Sequence, residues 1–310
     1  MKTILEVLSL NVTFPTRNGR ILASQEISFQ VNEGEICVLV GETGSGKSVI
    51  GQSVLHLLPE SAEVTGSIRY FDKEIFMISE EQYAPLRGKE ISLIPQNPGG
   101  SLDPIMKNGK QIAEVLDHHK SKEKKTGTVF NILSRLGFLS PRLIAQEYPH
   151  ELSGGMRQRL TTGIALASKP RLLIADEPTK GLDYVARKKT MEMFSQLKEN
   201  KHDSILMITH DLDLAEMIGD TVGVMYSGEL VEFGKVEDVF CSPKHPYTRG
   251  LLKALPRNGM VPMPGISPGL GDLPGGCYFH GRCDICCSEG EAVHPDWYFG
   301  DGRGVRCHKY

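Results

Sequence analysis

The spacing of hydrophobic and polar positions along the chain changes several times, and each change predicts an element. Over residues 4–31, apolar and polar positions alternate. Ile27, Phe29 and Val31 are separated by Ser28 and Gln30, as in antiparallel strands with one buried and one wet face. Ile36-Cys37-Val38-Leu39-Val40 has no alternation, which suits a parallel strand covered on both faces. The spacing then becomes helical, with Ile50, Val54, Leu57 and Leu58 on one apolar face. Further strands are predicted at 66–71, 91–95, 172–175 and 204–209, and residues 105–168 read as largely helical. Pro98, Gly99, Gly100 and Pro104 make a loop of the segment after Gln96. The charged run 120–125 is expected to be a solvated turn. Residues 256–276, with Pro262, Pro264, Pro268 and Pro274, read as a linker before a separate small module.

The buried strand and the helix after it bracket Gly41-Glu42-Thr43-Gly44-Ser45-Gly46-Lys47-Ser48. This is the pattern G-x-x-x-x-G-K-[ST], a phosphate-cradling P-loop. The glycines let the backbone turn its N–H groups inward on phosphate oxygens. Lys47 is placed to reach the β- and γ-phosphates, and the Ser48 hydroxyl to coordinate Mg²⁺. The ordinary alternative, a Gly-rich turn, lacks a reason for the strand and helix on either side.

Other strand ends carry polar groups. The apolar strand at 172–175 runs into Asp176 and Glu177. Beside a P-loop, Asp176 is suited to hold Mg²⁺ and Glu177 to polarise the attacking water. The strand at 204–209 delivers His210 to the same sheet edge, as a γ-phosphate contact or as an ordinary structural histidine. Gln96 ends another strand as a Mg²⁺ or water ligand, or simply as a solvated loop residue. Ser153-Gly154-Gly155 opens a helix and exposes N–H groups, either as a second anion site or as a plain serine cap. Phe14 is the nearest aromatic for stacking on adenine, or else a core residue.

Composition narrows the class. The 310 residues are 40% hydrophobic and 24% charged, with net charge −3, as in a soluble globular protein with no basic surface for nucleic acid. No uncharged apolar run reaches the ~18 residues that span a bilayer, and the first residues do not read as a signal peptide. A cytosolic protein, or one resting on a membrane through partners, is expected. Five of the seven cysteines crowd the C-terminal end: Cys277, Cys283, Cys286, Cys287 and Cys307. In a reducing compartment such crowding suggests metal ligation, and four thiolates suit a [4Fe–4S] cluster or Zn²⁺.

Together these pieces resemble the ATP-binding subunit of an ABC transporter. The P-loop, a Q-loop at Gln96, the signature Leu152-Ser153-Gly154-Gly155-Met156 and a Walker B run at 172–177 come in the family's order. Gly181-Leu182-Asp183 matches its D-loop and His210 its switch histidine. The narrower resemblance is to the oligopeptide, dipeptide and nickel importers, through Tyr148-Pro149-His150-Glu151, Gln96-Asn97-Pro98 and Ser242-Pro243-Lys244-His245-Pro246-Tyr247-Thr248. Gly276-Cys277-Tyr278-Phe279-His280-Gly281-Arg282-Cys283 and Arg306-Cys307-His308 match that branch's C-terminal element.

The resemblance implies a P-loop NTPase fold: a parallel-sheet α/β core, an antiparallel β subdomain, an α-helical signature subdomain at about 97–168 and a Cys-rich extension. It places the nucleotide-binding domain at 1–256 and the extension at 257–310. It also implies an ATPase powering import of peptides or nickel, with a soluble non-transport ABC ATPase, or an importer of another small solute, as the alternative. ATP and Mg²⁺ are the implied ligands. ATP would lie between one P-loop and the signature Ser153, Gly154 and Gly155 of a second ATPase subunit, in a homo- or heterodimer, with Asp183 nearby. Two membrane permease subunits and an extracytoplasmic solute-binding protein complete the assembly, at the cytoplasmic face of the membrane, without nucleic acid. A [4Fe–4S] cluster on Cys277, Cys283, Cys287 and Cys307 is the implied C-terminal group. Zn²⁺ is the alternative, and the choice between Cys286 and Cys287 is open. Lys180 before Gly181 departs from the family's usual small residue.

Overall fold

The computed structural model describes residues 2–17, 19–119, 125–199 and 204–310; residues 120–124 of the expected charged turn lie outside them. In chain order the strands are β1 (Thr3–Thr16), β2 (Gly19–Asn32), β3 (Ile36–Gly41), β4 (Glu63–Tyr70), β5 (Lys73–Glu74), β6 (Ile91–Ile94), β7 (Leu172–Asp176), β8 (Ser204–Thr209), β9 (Thr221–Tyr226), β10 (Glu229–Lys235), β11 (Trp297–Gly300) and β12 (Arg303–Arg306). The helices used below are α1 (Lys47–Val54), α2 (Asn108–His118), α3 (Lys125–Arg135), α4 (Gly154–Leu166), α5 (Tyr184–Glu199), α6 (Leu212–Ile218) and α7 (Pro246–Lys253). They fall into two compact units, one of Met1–Ile78 with Ile208–Tyr310 and one of Ser79–Met207.

The first unit holds two sheet regions. Strands β2-β1-β4-β5 form an antiparallel sheet. Its register sets Val7 opposite both Phe29 and Ile68, and Leu10 opposite Ile27, so the alternating apolar residues meet on one buried face. In the other region β3 runs parallel to β9, with Val38 opposite Val222 and Gly41 opposite Met225. β9 pairs antiparallel with β10, β10 with β12, and β12 with β11. Every residue of β3 is buried, as an unbroken apolar run in a covered sheet requires.

Residues 257–310 belong to this same unit. Strand β12 joins β10 through Glu232 opposite Val305 and Phe233 opposite Gly304. Gly304 lies under the Trp297 ring, so a Cβ there would come within 1.9 Å of it.

Helix α1 is shorter than the apolar spacing predicts. It ends at Val54, and His56 turns into the left-handed region at φ 54° to bond the Ile75 carbonyl. Ile50 and Val54 are fully buried, but Leu57 comes out 46% exposed, because the chain has left the helix before reaching it.

In the second unit β6 and β7 are parallel, with Ile94 opposite Ala175. The loop expected after Gln96 contains a one-turn helix (Pro98–Ser101), capped by Asn97, whose side chain accepts from Gly100 N–H at 3.2 Å. The region read as helical is a bundle over α2, α3 and α4. It closes on a core that includes Ile112, Leu133, Leu136, Ile144 and Leu160. Among the described residues no helix is long and apolar enough to cross a membrane.

Candidate nucleotide-binding site

The P-loop joins β3 to α1 in the first unit. Two of its glycines are dictated by close approach. A Cβ on Gly41 would lie 2.2 Å from the Met225 carbonyl oxygen, and one on Gly46 2.1 Å from that of Ala23. Gly46 also has φ 93° as the cap of α1, a conformation that L side chains rarely adopt. Thr43 and Gly44 are exposed, Ser48 is half-buried, and Ser45 and Lys47 are buried. The Lys47 ammonium donates to the Gly41 carbonyl (2.8 Å), the Glu42 carbonyl (2.7 Å) and Ser45 Oγ (3.2 Å). The loop is thus closed around its own lysine, with exposed residues at its tip.

Glu42 is tied from elsewhere in the unit. Its N–H donates to Tyr247 Oη at 3.0 Å, and its carboxylate accepts Arg282 Nη1 at 3.2 Å and Nη2 at 3.1 Å. Sequence reasoning missed Tyr247, Ser267 and Arg282 as neighbours of the loop. The only available signal was the presence of Tyr247 and Arg282 inside short family-like motifs. His210 follows β8, exposed. Phe14 is a half-buried strand residue opposite Ile21.

The second unit carries the carboxylates. Asp176 ends β7 half-buried, and Glu177 is only 5% exposed. Glu177 has φ 50°, an uncommon left-handed backbone for a residue with a side chain. Gln96 is exposed, two residues beyond Ile94. Because Ile94 lies opposite Ala175, Gln96 and Asp176 leave neighbouring strand ends. Hydroxyl, carboxylate and amide oxygens such as those of Ser48, Asp176 and Gln96 are the hard donors that suit Mg²⁺.

Ser153 caps α4, its Oγ accepting from Met156 N–H at 3.3 Å. Gly155 lets α4 approach α5, since a Cβ there would stand 2.7 Å from Ala186 Cβ. Asp183 Oδ1 accepts from Ala186 N–H at 2.8 Å. The signature and D-loop residues together line an open cavity of about 360 Å³, with Ser153, Gly154 and Gly155 facing Gly181, Asp183 and Lys189.

The C-terminal thiols require a correction. Among the described residues no three His, Cys, Asp or Glu side chains converge as a metal-holding group. The cluster or zinc site expected at Cys277, Cys283, Cys287 and Cys307 is therefore not assembled as a ligand set among the described residues. Burial pushes the Cys277 thiol up to about 12, with further upward pushes from Glu229, Cys307 and Cys283. Burial also raises Cys283, followed by Cys286 and Cys307. Cys277, Cys286 and His308 face Gly290, whose Cβ would lie 3.5–3.9 Å from them. Cys286 and Cys287 are both exposed, and the Cys287 carbonyl accepts from Cys286 Sγ.

Comparison with known proteins fixes the class. The ABC transporter family model matches residues 24–180. A solved dimeric structure of the ATP-binding cassette MJ0796, bound to ADP and phosphate, superposes with TM-score 0.67 at 22% identity over 75% of this chain and 98% of that one. Fold and motifs define a P-loop ATPase of the ABC class.

A second model, the C-terminal region of oligopeptide/dipeptide transporters, matches residues 231–289. The dipeptide transport ATP-binding protein DppD of Bacillus subtilis is 40% identical over 99% of this chain and 95% of its own length. The oligopeptide transport ATP-binding protein OppD of Salmonella typhimurium is 40% identical over 99% and 93%. The chain belongs to the ABC transporter family, among the ATP-binding proteins of its oligopeptide/dipeptide branch.

Proposed function

We propose that this protein hydrolyses ATP to drive import of short peptides through separate membrane permease subunits. The observation that carries the reading is a P-loop closed on Lys47 in a chain 40% identical, over nearly its whole length, to a dipeptide transport ATP-binding protein.

In this reading the N–H groups of residues 41–48 bind the phosphates and Lys47 reaches the β- and γ-phosphates. Mg²⁺, when bound, neutralises charge developing on the phosphate oxygens, and Ser48, Asp176 and Gln96 are the residues to hold it. Glu177 accepts a proton from the attacking water. His210 contacts the γ-phosphate.

Ser153, Gly154, Gly155 and Asp183 serve the nucleotide of a second ATPase subunit. The dimer of the MJ0796 cassette supports that arrangement. Two permeases and an extracytoplasmic binding protein complete the system, which puts this subunit at the cytoplasmic face of the membrane. Peptides rather than nickel are the proposed cargo, because the relatives are named for dipeptides and oligopeptides.

Vesicles reconstituted with this chain, its ATPase partner, permeases and binding protein test the proposal. ATP-driven uptake of labelled dipeptide is expected. Uptake of ⁶³Ni²⁺ in place of peptide, or ATPase activity that never associates with a permease, would refute it.

A further inference from the structure

Glu42, the second residue of the P-loop, is fixed at three points. Its N–H donates to Tyr247 Oη (3.0 Å) and its carbonyl accepts from Lys47 Nζ (2.7 Å). Its carboxylate receives both arms of the Arg282 guanidinium, at 3.1 and 3.2 Å, together with the Ser267 hydroxyl. Arg282 is itself held. Its Nε donates to the Pro264 carbonyl (3.0 Å) and its Nη1 to Ser267 Oγ (2.8 Å). The guanidinium carbon lies 5.7 Å from the Tyr226 ring centre and 5.8 Å from that of Phe279. The Arg282 side chain is 8% exposed, that of Glu42 33%.

Burial opposes ionisation of Glu42, but the hydrogen bonds from Arg282 and Ser267 outweigh it and hold the carboxyl below the usual glutamate range. A full negative charge therefore stands inside a loop whose chemistry is to receive phosphate, and like charges at such range repel. A two-pronged arginine both cancels that charge and fixes where its oxygens point.

We propose that Arg282 is a positioning residue for ATP: it neutralises the Glu42 carboxylate and turns it away from the phosphate path, so that the C-terminal segment sets the affinity of the P-loop. The proposal rests on the reading of residues 41–48 as the ATP site. It assigns to the arginine of the Cys-flanked element a role that needs no metal.

Equilibrium binding of Mg·ATP to the purified full chain tests it, with Arg282→Gln, Arg282→Gln/Glu42→Gln and Lys47→Ala compared with the unaltered protein. Arg282→Gln is expected to bind about tenfold more weakly, equivalent to about 1.4 kcal/mol. Adding Glu42→Gln is expected to bring affinity back to within about threefold of the unaltered protein, because the charge needing neutralisation has gone. An arginine that merely braced the C-terminal segment would not be rescued this way. Arg282→Gln binding as the unaltered protein does, or a double variant as weak as the single one, overturns the proposal. If Arg282→Gln fails to fold, Glu42→Gln alone decides. Affinity equal to or tighter than that of the unaltered protein supports the charge role, and weaker binding overturns it. A chain that binds no ATP, or binds it equally with Lys47→Ala, sinks the P-loop reading itself, and this proposal with it.

Discussion

Lys47 Nζ stands 2.7 Å from the carbonyl oxygen of Glu42, so the charged group and the loop it serves are held together by the loop's own backbone. A buried ammonium surrounded by carbonyl dipoles has lost most of its water, and a triphosphate is the partner best able to offset that loss. Lys47→Ala is expected to weaken ATP binding about ten- to a hundredfold, the range for about 1.5–3 kcal/mol of charge-assisted hydrogen bonding. Titration of the purified chain with Mg·ATP checks this, and unchanged affinity would remove Lys47 from the site.

Glu177 combines burial with a left-handed backbone, an arrangement maintained by the surrounding fold rather than by local preference. As the base that activates water, it should be separable from binding. Glu177→Gln is expected to keep ATP affinity and to lower kcat about 10²–10⁴-fold. Steady-state hydrolysis by the assembled transporter reads both quantities at once. Normal turnover would rule out Glu177 as the base.

His245 is buried, its Nδ1 accepts from Tyr247 N–H at 3.0 Å to cap α7, and its N–H donates to Glu232 at 3.0 Å. Burial first, then the nearby Arg249 charge, lowers its pKa to about 3, against about 6.5 in the unfolded chain. Between these values the unfolded chain binds a proton that the folded one does not. Stability therefore falls as pH drops below about 6.5, by up to about 1.4 kcal/mol per pH unit from this group. Melting temperatures between pH 7 and 5 should show that decline, and His245→Asn should flatten it.

Glu232 is fully buried and paired with Arg303, which also donates to the Ser242 carbonyl at 2.8 Å. Removing one partner of such a pair leaves a charge with neither water nor counterion. Arg303→Ala is expected to destabilise the protein by about 3–5 kcal/mol, read as a lower urea midpoint at unchanged slope. A shift of under about 1 kcal/mol would mean that water reaches Glu232.

What sequence reading captured was local. The run 36–40, the P-loop and α1 are contiguous, so strand, turn chemistry and helix start could be read from one stretch. The same holds for 172–177 and for the helix opened by Ser153. What it missed was non-local. Arg282 meets Glu42 across 240 residues of sequence, and no period or spacing encodes that pairing. The proline-rich stretch reads as a tether by composition, yet its Ser267 and Pro264 bond Arg282. Leu57 looks helical by spacing alone, because spacing cannot register the left-handed turn at His56.

Strand β12 covers one side of β10, and β10 leads through β9 to the β3 strand that carries the P-loop. On the ribosome, every nucleotide motif up to His210 is therefore made well before the strand that closes this part of the sheet. Until residues 303–306 emerge, the nascent chain presents an open strand edge at Glu232 and Phe233, with Glu232 held by the Lys244 and His245 N–H groups but lacking its Arg303 counterion, a surface prone to pairing with other chains. A newly made chain of this kind needs shelter until residues 303–306 are out, and a stop codon placed just after the family's core motifs would leave a chain prone to aggregate rather than a minimal ATPase.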